Sequence, residues 1–221
     1  MARRTLTTAA IAFTASTALS LLLTACGGSD DSPSDDIKGA ATGTNSPSPS
    51  TAASASAASD VERPEITLPS DFKLTFENWT SSDADEQVVL DDAKEELRAG
   101  YAAIIANEPD GGEALAFYDT TNGLSQSKKW IRSYTDKNVT VVGELPAFDP
   151  KVTLASGGET AALSYCTDES KAYTKNRETG KEVGNPAGTD PEVAYSVTLR
   201  RSDQGVWQND SVAAKRGGCS T

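Results

Sequence analysis

The sequence contains no histidine. Its candidate residues for acid–base, hydrogen-bonding or thiol chemistry are therefore carboxylates, six tyrosines and three cysteines. Metal and haem sites that use imidazole are therefore excluded, and so are Ser-His-Asp and Cys-His mechanisms. Acidic residues outnumber basic ones by 32 to 20, which gives a formal net charge of −12. This charge argues against nucleic-acid binding and against docking on an anionic membrane by charge alone. The sequence predicts no metal site and no cofactor.

Cys26 follows a segment with the pattern of an export signal. Arg3 and Arg4 precede an uncharged stretch, residues 5–25, whose apolar part is shorter than the roughly 20 residues of a membrane-spanning helix. The sequence L-T-A-C at 23–26 resembles the bacterial lipobox. That resemblance implies diacylglyceryl modification of Cys26, cleavage before it and anchoring to the outer face of the cell membrane. The alternative is ordinary secretion with an incidental cysteine.

Three regions follow from composition. Residues 1–25 are predicted to be the lipoprotein signal peptide, and their removal takes away two arginines and no acid, which changes the net charge from −12 to −14. Residues 26–64 are predicted to be a lipid-anchored, disordered linker, because they are rich in Ser, Ala, Thr and Pro and nearly lack large apolar residues. Residues 65–221 are predicted to form a single domain, and a chain beginning near Pro64 is expected to keep its full stability.

The domain begins with helical patterns. Residues 71–77 alternate as in an edge strand, and apolar residues then recur every four positions from Val89 to Ile105, which predicts a helix over 84–106. Shorter helices are expected at 113–121 and 125–136. The solvent face of the long helix is predicted to carry its charged residues: Glu86, Asp92, Glu95, Glu96 and Arg98.

After residue 136 the apolar period changes to two, which indicates strands. Alternating segments begin at Val139, Val152, Ala161, Val193 and Val206, and turn-forming residues separate them, including a turn predicted at 146–150. Helices followed by an antiparallel meander indicate an α+β fold with the helices on one face of the sheet.

This order resembles the nuclear-transport-factor-2-like (NTF2-like) cone, in which helices pack on a strongly curved antiparallel sheet. The segments T-A-A-L-S-Y-C-T-D-E-S (160–170), E-T-G-K (178–181) and Y-S-V-T-L-R-R-S-D-Q-G-V-W (195–207) more specifically resemble domains of secreted actinobacterial, Streptomyces-like lipoproteins. The superfamily includes isomerases, dehydratases, transport adaptors and non-catalytic domains, and many members dimerise through the sheet. The resemblance therefore implies a fold and leaves the activity open.

Cys166 and Cys219 remain once Cys26 is lipidated. Two cysteines in an exported domain usually pair, so a Cys166–Cys219 disulfide is predicted. The alternative is a free reactive or metal-binding thiol, which would lack an imidazole to activate it.

The leading functional hypothesis is non-catalytic binding of a small ligand or an envelope protein by the cone, with homodimerisation through the sheet as a further arrangement. Six aromatic residues are the candidate pocket: Tyr101, Phe117, Trp130, Tyr134, Tyr195 and Trp207. The competing structural interpretation is that these aromatic residues fill the cone. The alternative function is an isomerase or dehydratase with a carboxylate base in the cavity, for which Asp119 and Asp168 are available. Asp168 is favoured as a turn cap, and no residue is assigned as catalytic.

Overall fold

The computed structural model describes residues 61–219, which form three helices packed on a strongly curved, mainly antiparallel sheet. The α+β cone expected from the sequence is therefore present. The predicted signal peptide, Cys26 and the linker as far as residue 60 lie outside the described residues. The elements are β1 (Phe72–Phe76), α1 (Ala84–Ala106), α2 (Gly112–Tyr118), α3 (Thr121–Thr135), β2 (Val139–Leu154), β3 (Thr160–Asp168), β4 (Lys171–Asn176), β5 (Glu182–Val183), β6 (Glu192–Arg201) and β7 (Trp207–Arg216).

Helix α1 has the predicted bounds because both ends are capped. The Asp83 carboxylate accepts hydrogen bonds from the backbone N–H groups of Asp85 and Glu86, at 2.9 and 3.0 Å. Asn107 ends the helix in the left-handed conformation, with φ of 61°. Helix α3 begins four residues earlier than predicted, because the Thr120 hydroxyl accepts from the Gly123 N–H and caps the helix there.

The sheet runs in the order β5-β4-β2-β3-β6-β7, and β1 pairs in parallel with the middle of β2. The turn predicted at 146–150 is wrong, since β2 continues through this segment as one 16-residue strand. A register shift against β3 between Phe148 and Lys151, with Asp149 at a φ of 51°, accommodates the irregular sequence as a bulge. Residues 139–144 of β2 pair with β4, and the residues beyond the β1 contact pair with β3, so the strand bends the sheet.

Two hydrophobic clusters lie on either side of the middle of α1. The first includes Val89 and Ala93 of α1 together with Leu163 and Trp79. The second includes Ile104 of α1 together with buried residues of α2, α3 and β2, among them Leu115, Ile131, Val141 and Leu145. Because α1 spans both clusters, it fixes the distance between the two ends of the cone. The space between the clusters is only partly filled.

Covalent and ionic contacts hold the chain ends. A disulfide joins Cys166 of β3 to Cys219, as the sequence predicts. Arg63, which the sequence analysis assigns to the linker, forms an ion pair with the buried Asp92 of α1. The packed region therefore includes at least two residues before the predicted boundary at 65. None of the helices within residues 61–219 is both long and apolar enough to cross a bilayer.

Candidate functional site

The cone is hollow and encloses a cavity of about 390 Å³ between the two clusters. Helices α1 and α3 form one wall, and the concave face of the sheet forms the other. Its size lies within the range of roughly 300–1,000 Å³ that is typical of small-molecule sites. Most of the wall is apolar or aromatic, from residues such as Leu74, Leu97, Leu145, Ala147, Val193 and Val197.

Aromatic rings make two facing surfaces of this cavity. Tyr101 and Trp130 meet edge to face, with ring centroids 5.2 Å apart at 87°. On the sheet side, Tyr165 and Tyr195 stack with centroids 4.9 Å apart and rings only 9° from parallel. Since these rings pack against each other, they form preordered walls that a flat apolar ligand can contact.

Three of the six aromatic residues proposed as a pocket line the cavity, namely Tyr101, Trp130 and Tyr195. Tyr134 lies behind Trp130, with centroids 5.9 Å apart, and supports that ring without lining the cavity.

The other two are elsewhere. Phe117 packs edge to face on Tyr118 in the short helix α2. Trp207 is buried in the first hydrophobic cluster, where β7 begins. The sequence groups both with the pocket, because an aromatic residue type alone does not distinguish a cavity wall from the core. Tyr165, which does line the cavity, was missing from the predicted set.

One end of the cavity is polar and acidic. Glu96 of α1 lies there with Ser127 of α3 and Asn209 of β7, and the Asn209 amide donates to the Glu96 carboxyl at 3.4 Å. Asp119, between α2 and α3, is close enough to Glu96 that its charge raises the Glu96 pKa. This group, Glu96, Asp119, Ser127 and Asn209, is called the acidic end below.

Placing Glu96 and Asp92 on the solvent face of α1 was wrong. Asp92 is 1% exposed, and Glu96 faces the cavity. The spacing contained the signal: Glu96 is three residues after Ala93 and seven after Val89, which puts it on the apolar face. An amphipathic pattern is assigned from residue types, so the charged Glu96 is predicted to face solvent although its position lies on the apolar face.

A close contact between α3 and β7 forms the floor of the acidic end. The Thr120 N–H donates to the Asn209 carbonyl oxygen at 2.9 Å. Gly123, in the first turn of α3, lies so near the same carbonyl that a Cβ added there would be 2.0 Å from the oxygen. Only glycine permits this approach, so the sequence of α3 brings Ser127 and Asp119 against Asn209.

Burial changes the protonation of the two carboxyls. Removal from water raises the pKa of Glu96 to about 8, with a further increase from the Asp119 charge and a smaller decrease from Asn209. Burial likewise raises the pKa of Asp119 to about 7, offset in part by Ser127 and Asn209. Two neighbouring buried carboxyls of this kind hold at least one proton at neutral pH.

Hydrogen-bond acceptors outnumber donors at the acidic end. Within residues 61–219, both carboxyl oxygens of Asp119 and Oδ1 of Asn209 are buried without a hydrogen bond of normal geometry, although Ser127 and Asn209 lie close enough to Asp119 to stabilise its charge. Asp119 is 4% exposed and Asn209 is 3% exposed, so bulk water does not satisfy them. Buried polar atoms left in this state are costly and point to a function at the site.

Charged residues also mark the rim. Arg216 of β7 pairs with Glu169 and donates to the Asp190 carbonyl oxygen at 2.9 Å. Asp168 caps the turn as predicted, because its carboxylate accepts from the Ser170 N–H at 2.8 Å. In the described part of the chain, no three Cys, Asp or Glu side chains are grouped so as to hold a metal ion.

No family model matches the sequence, and no curated protein gives a significant match. Solved structures do resemble its fold. A putative dehydratase of the NTF2-like family from Streptomyces avermitilis has a TM-score of 0.39 at 14% identity, covering 58% of this chain and 98% of that one. A ketosteroid isomerase-like protein from Erwinia carotovora atroseptica has a TM-score of 0.38 at 16% identity, covering 59% and 95%.

The intermembrane space region of the chloroplast protein ARC6 has a TM-score of 0.41 at 9% identity, covering 62% of this chain and all of that one. These three proteins carry different functional descriptions although they resemble one another in architecture. At such low identities and TM-scores they assign no activity, substrate or partner to this chain.

Proposed function

We propose that this protein is a lipid-anchored receptor on the outer face of a cell membrane, whose cone binds a small, mainly apolar ligand. The observation that carries the proposal is the cavity of about 390 Å³, with ordered aromatic walls and polar groups gathered at one end. Such a distribution is typical of ligand sites, because apolar walls supply affinity and a few polar groups fix orientation.

The cellular location in this proposal is supported by the lipobox. Replacing Cys26 with Ala is expected to prevent lipidation and release the protein from membranes, whereas Ser29→Ala, beyond the lipobox, is the matched control. Incorporation of a fatty-acid analogue and fractionation of cells measure the two effects. If Cys26→Ala remains labelled and membrane-bound like the control, the anchor is wrong while the binding role of the cone stays open.

Ligand binding is tested with N-phenyl-1-naphthylamine, an uncharged aromatic compound that fluoresces in apolar surroundings. We expect saturable binding of one molecule per chain. Trp130→Ala should weaken it by about 10-fold, because removing one ring from the wall loses roughly 1.4 kcal/mol of contact. Phe117→Ala is the matched control, a half-buried helical aromatic outside the cavity. The absence of saturable binding, or an equal loss in both variants, would overturn the proposal.

Catalysis as an isomerase or dehydratase is the second candidate, because Glu96 is a carboxyl facing a mainly apolar cavity. Burial raises the pKa of Glu96, which suits proton transfer as well as binding. Binding requires only the apolar cavity with its polar end, whereas catalysis would also require a group that stabilises charge developing on the substrate. Binding is therefore the function that the site supports better. Conversion of a bound carbonyl compound that stops in Glu96→Gln would instead favour catalysis.

A further inference from the structure

The acidic end offers few hydrogen-bond donors to a molecule in the cavity. Glu96 lines the cavity and receives only the long bond from the Asn209 amide. Asp119 lies behind it, outside the cavity lining, and the Asp119 carboxyl oxygens and Oδ1 of Asn209 have almost no accessible surface. A ligand that brings a donor would therefore satisfy the Glu96 carboxyl, an acceptor that lines the cavity.

The acidic end also lacks a positive charge. Arg216 is the cationic side chain among the residues lining the cavity, and it lies at the rim, occupied by Glu169 and the Asp190 carbonyl. Arg98, the nearest basic residue after Glu96 in α1, pairs with Glu95. Two neighbouring carboxyls, Asp119 buried and Glu96 half-buried at the cavity, thus lie without a cation, which is unfavourable for the folded protein.

We propose that the ligand of this cavity is a small organic cation with an aromatic or apolar body, whose protonated nitrogen donates a hydrogen bond to the Glu96 carboxylate, in front of Asp119. The proposal rests on the binding function above and names its ligand class. The body would lie between the Tyr101–Trp130 and Tyr165–Tyr195 surfaces. Aromatic faces attract cations as well as apolar groups, so these walls suit such a ligand along its whole length.

A proton and the cation compete for the same carboxyl. The groups that face Glu96 are Asp119 from the α2–α3 junction, Asn209 from β7 and Tyr165 from β3, and none of them is cationic. Because the pKa of Glu96 is raised in the free protein, binding a cation at neutral pH must displace a proton. Affinity should therefore rise with pH as the carboxyl ionises.

Three naphthalene compounds of similar shape test this proposal by calorimetry on the full chain at pH 7.5. They are 2-naphthylmethylamine, which is cationic, 2-naphthalenemethanol, which is neutral, and 2-naphthoate, which is anionic. We expect the amine to bind at least about 10-fold more tightly than the alcohol, and the naphthoate most weakly, as expected for a desolvated charge pair. Titrations in phosphate and in Tris should show proton release with the amine and none with the alcohol.

The site is tested with Glu96→Gln, which keeps the shape and the hydrogen-bond acceptor but removes the charge. This variant should lose the preference for the amine and the proton release, and its unchanged affinity for the alcohol would show that it is folded. Glu95→Gln is the matched control, because Glu95 pairs with Arg98 away from the cavity lining.

Two sets of outcomes separate this proposal from the binding function. If amine and alcohol bind equally, or if Glu96→Gln keeps the preference for the amine, the cation assignment is overturned and the binding function remains. If none of the three compounds binds and N-phenyl-1-naphthylamine also fails to bind, both are overturned. Preference for the naphthoate would overturn the cation assignment and direct attention to Arg216 at the rim.

Discussion

Asp92 and Glu96 lie one helical turn apart on α1, and both carboxyl groups face the interior. Asp92 forms an ion pair with Arg63 and accepts from the Trp207 N–H at 2.8 Å. Glu96 has a long amide contact, and its neighbour Asp119 carries the same charge. Burial raises the pKa of both carboxyls, but Trp207 and Arg63 counteract the rise at Asp92.

The comparison distinguishes Asp92, whose charge has a structural role, from Glu96, whose carboxyl is available to a ligand. The partners of Asp92 come from the protein itself, so this carboxylate connects the N-terminal segment, α1 and β7. The partners that Glu96 lacks must come from outside the fold or be replaced by a proton. A protein keeps an unsatisfied buried group of this kind at a cost in stability, which is typical of functional sites.

The largest effect on stability is expected from removing the Asp92 carboxylate, which has partners within the protein. Asp92→Ala should lower the free energy of unfolding by about 3 kcal/mol, because it removes two partners and leaves the buried Trp207 N–H unpaired. Urea unfolding measures the loss. Asp91→Ala, on the exposed side of the same helix, is the control and should change stability by less than about 0.5 kcal/mol. Equal losses of unfolding free energy in the Asp92 and Asp91 variants would mean that the contacts of Asp92 do not stabilise the fold.

A smaller loss, about 1 kcal/mol, is expected for Arg63→Ala, since the guanidinium is about one-third exposed and its pairing is partly screened by water. The corresponding fall in melting temperature is a few degrees for a domain of this size. Glu62→Ala is the control. An unchanged melting temperature would support the boundary predicted at residue 65, whereas the expected fall would place the boundary before Arg63.

The raised pKa of Glu96 should make the free energy of unfolding depend on pH. Glu96 has a pKa of about 8 in the folded state and 4.5 as its reference value, so the folded protein binds more protons between these limits. Stability should therefore fall as pH rises from about 5 to 8. Glu96→Gln should flatten this decline, while the contributions of Asp92 and Asp119, which have the same sign, remain. An identical slope in variant and wild type would show that Glu96 ionises normally.

The smallest effect concerns the coupling within the acidic end. Asp119→Asn removes a like charge, so the pKa of Glu96 should move down toward its usual range. Carbon-13 NMR of the side-chain carboxyls follows this titration directly. Ser127→Ala, which alters the same site without removing a charge, should leave the Glu96 titration nearly unchanged. If the Asp119 variant does not lower the pKa, burial alone determines it.

Much of the fold could be predicted because its signals are local. The bounds of α1 follow from the Asp83 cap and the four-residue apolar period, and β3, β6 and β7 follow from alternation. The failed turn at 146–150 shows the limit of such signals. Proline and aspartate indicate a turn by themselves, but pairing with β1, β3 and β4 on both edges kept β2 continuous.

The sequence by itself determined that helices are followed by strands, that Cys166 pairs with Cys219 and that three of the four aromatic rings of the cavity wall belong to a pocket. Only the tertiary structure decided that the cone is hollow and that Glu96 and Asn209 meet at one end of it, with Asp119 buried behind them. These residues are far apart in the chain, and two are charged types that a pattern assigns to the surface. Their meeting depends on how closely α3 approaches β7 at Gly123, a packing distance that no local periodicity encodes.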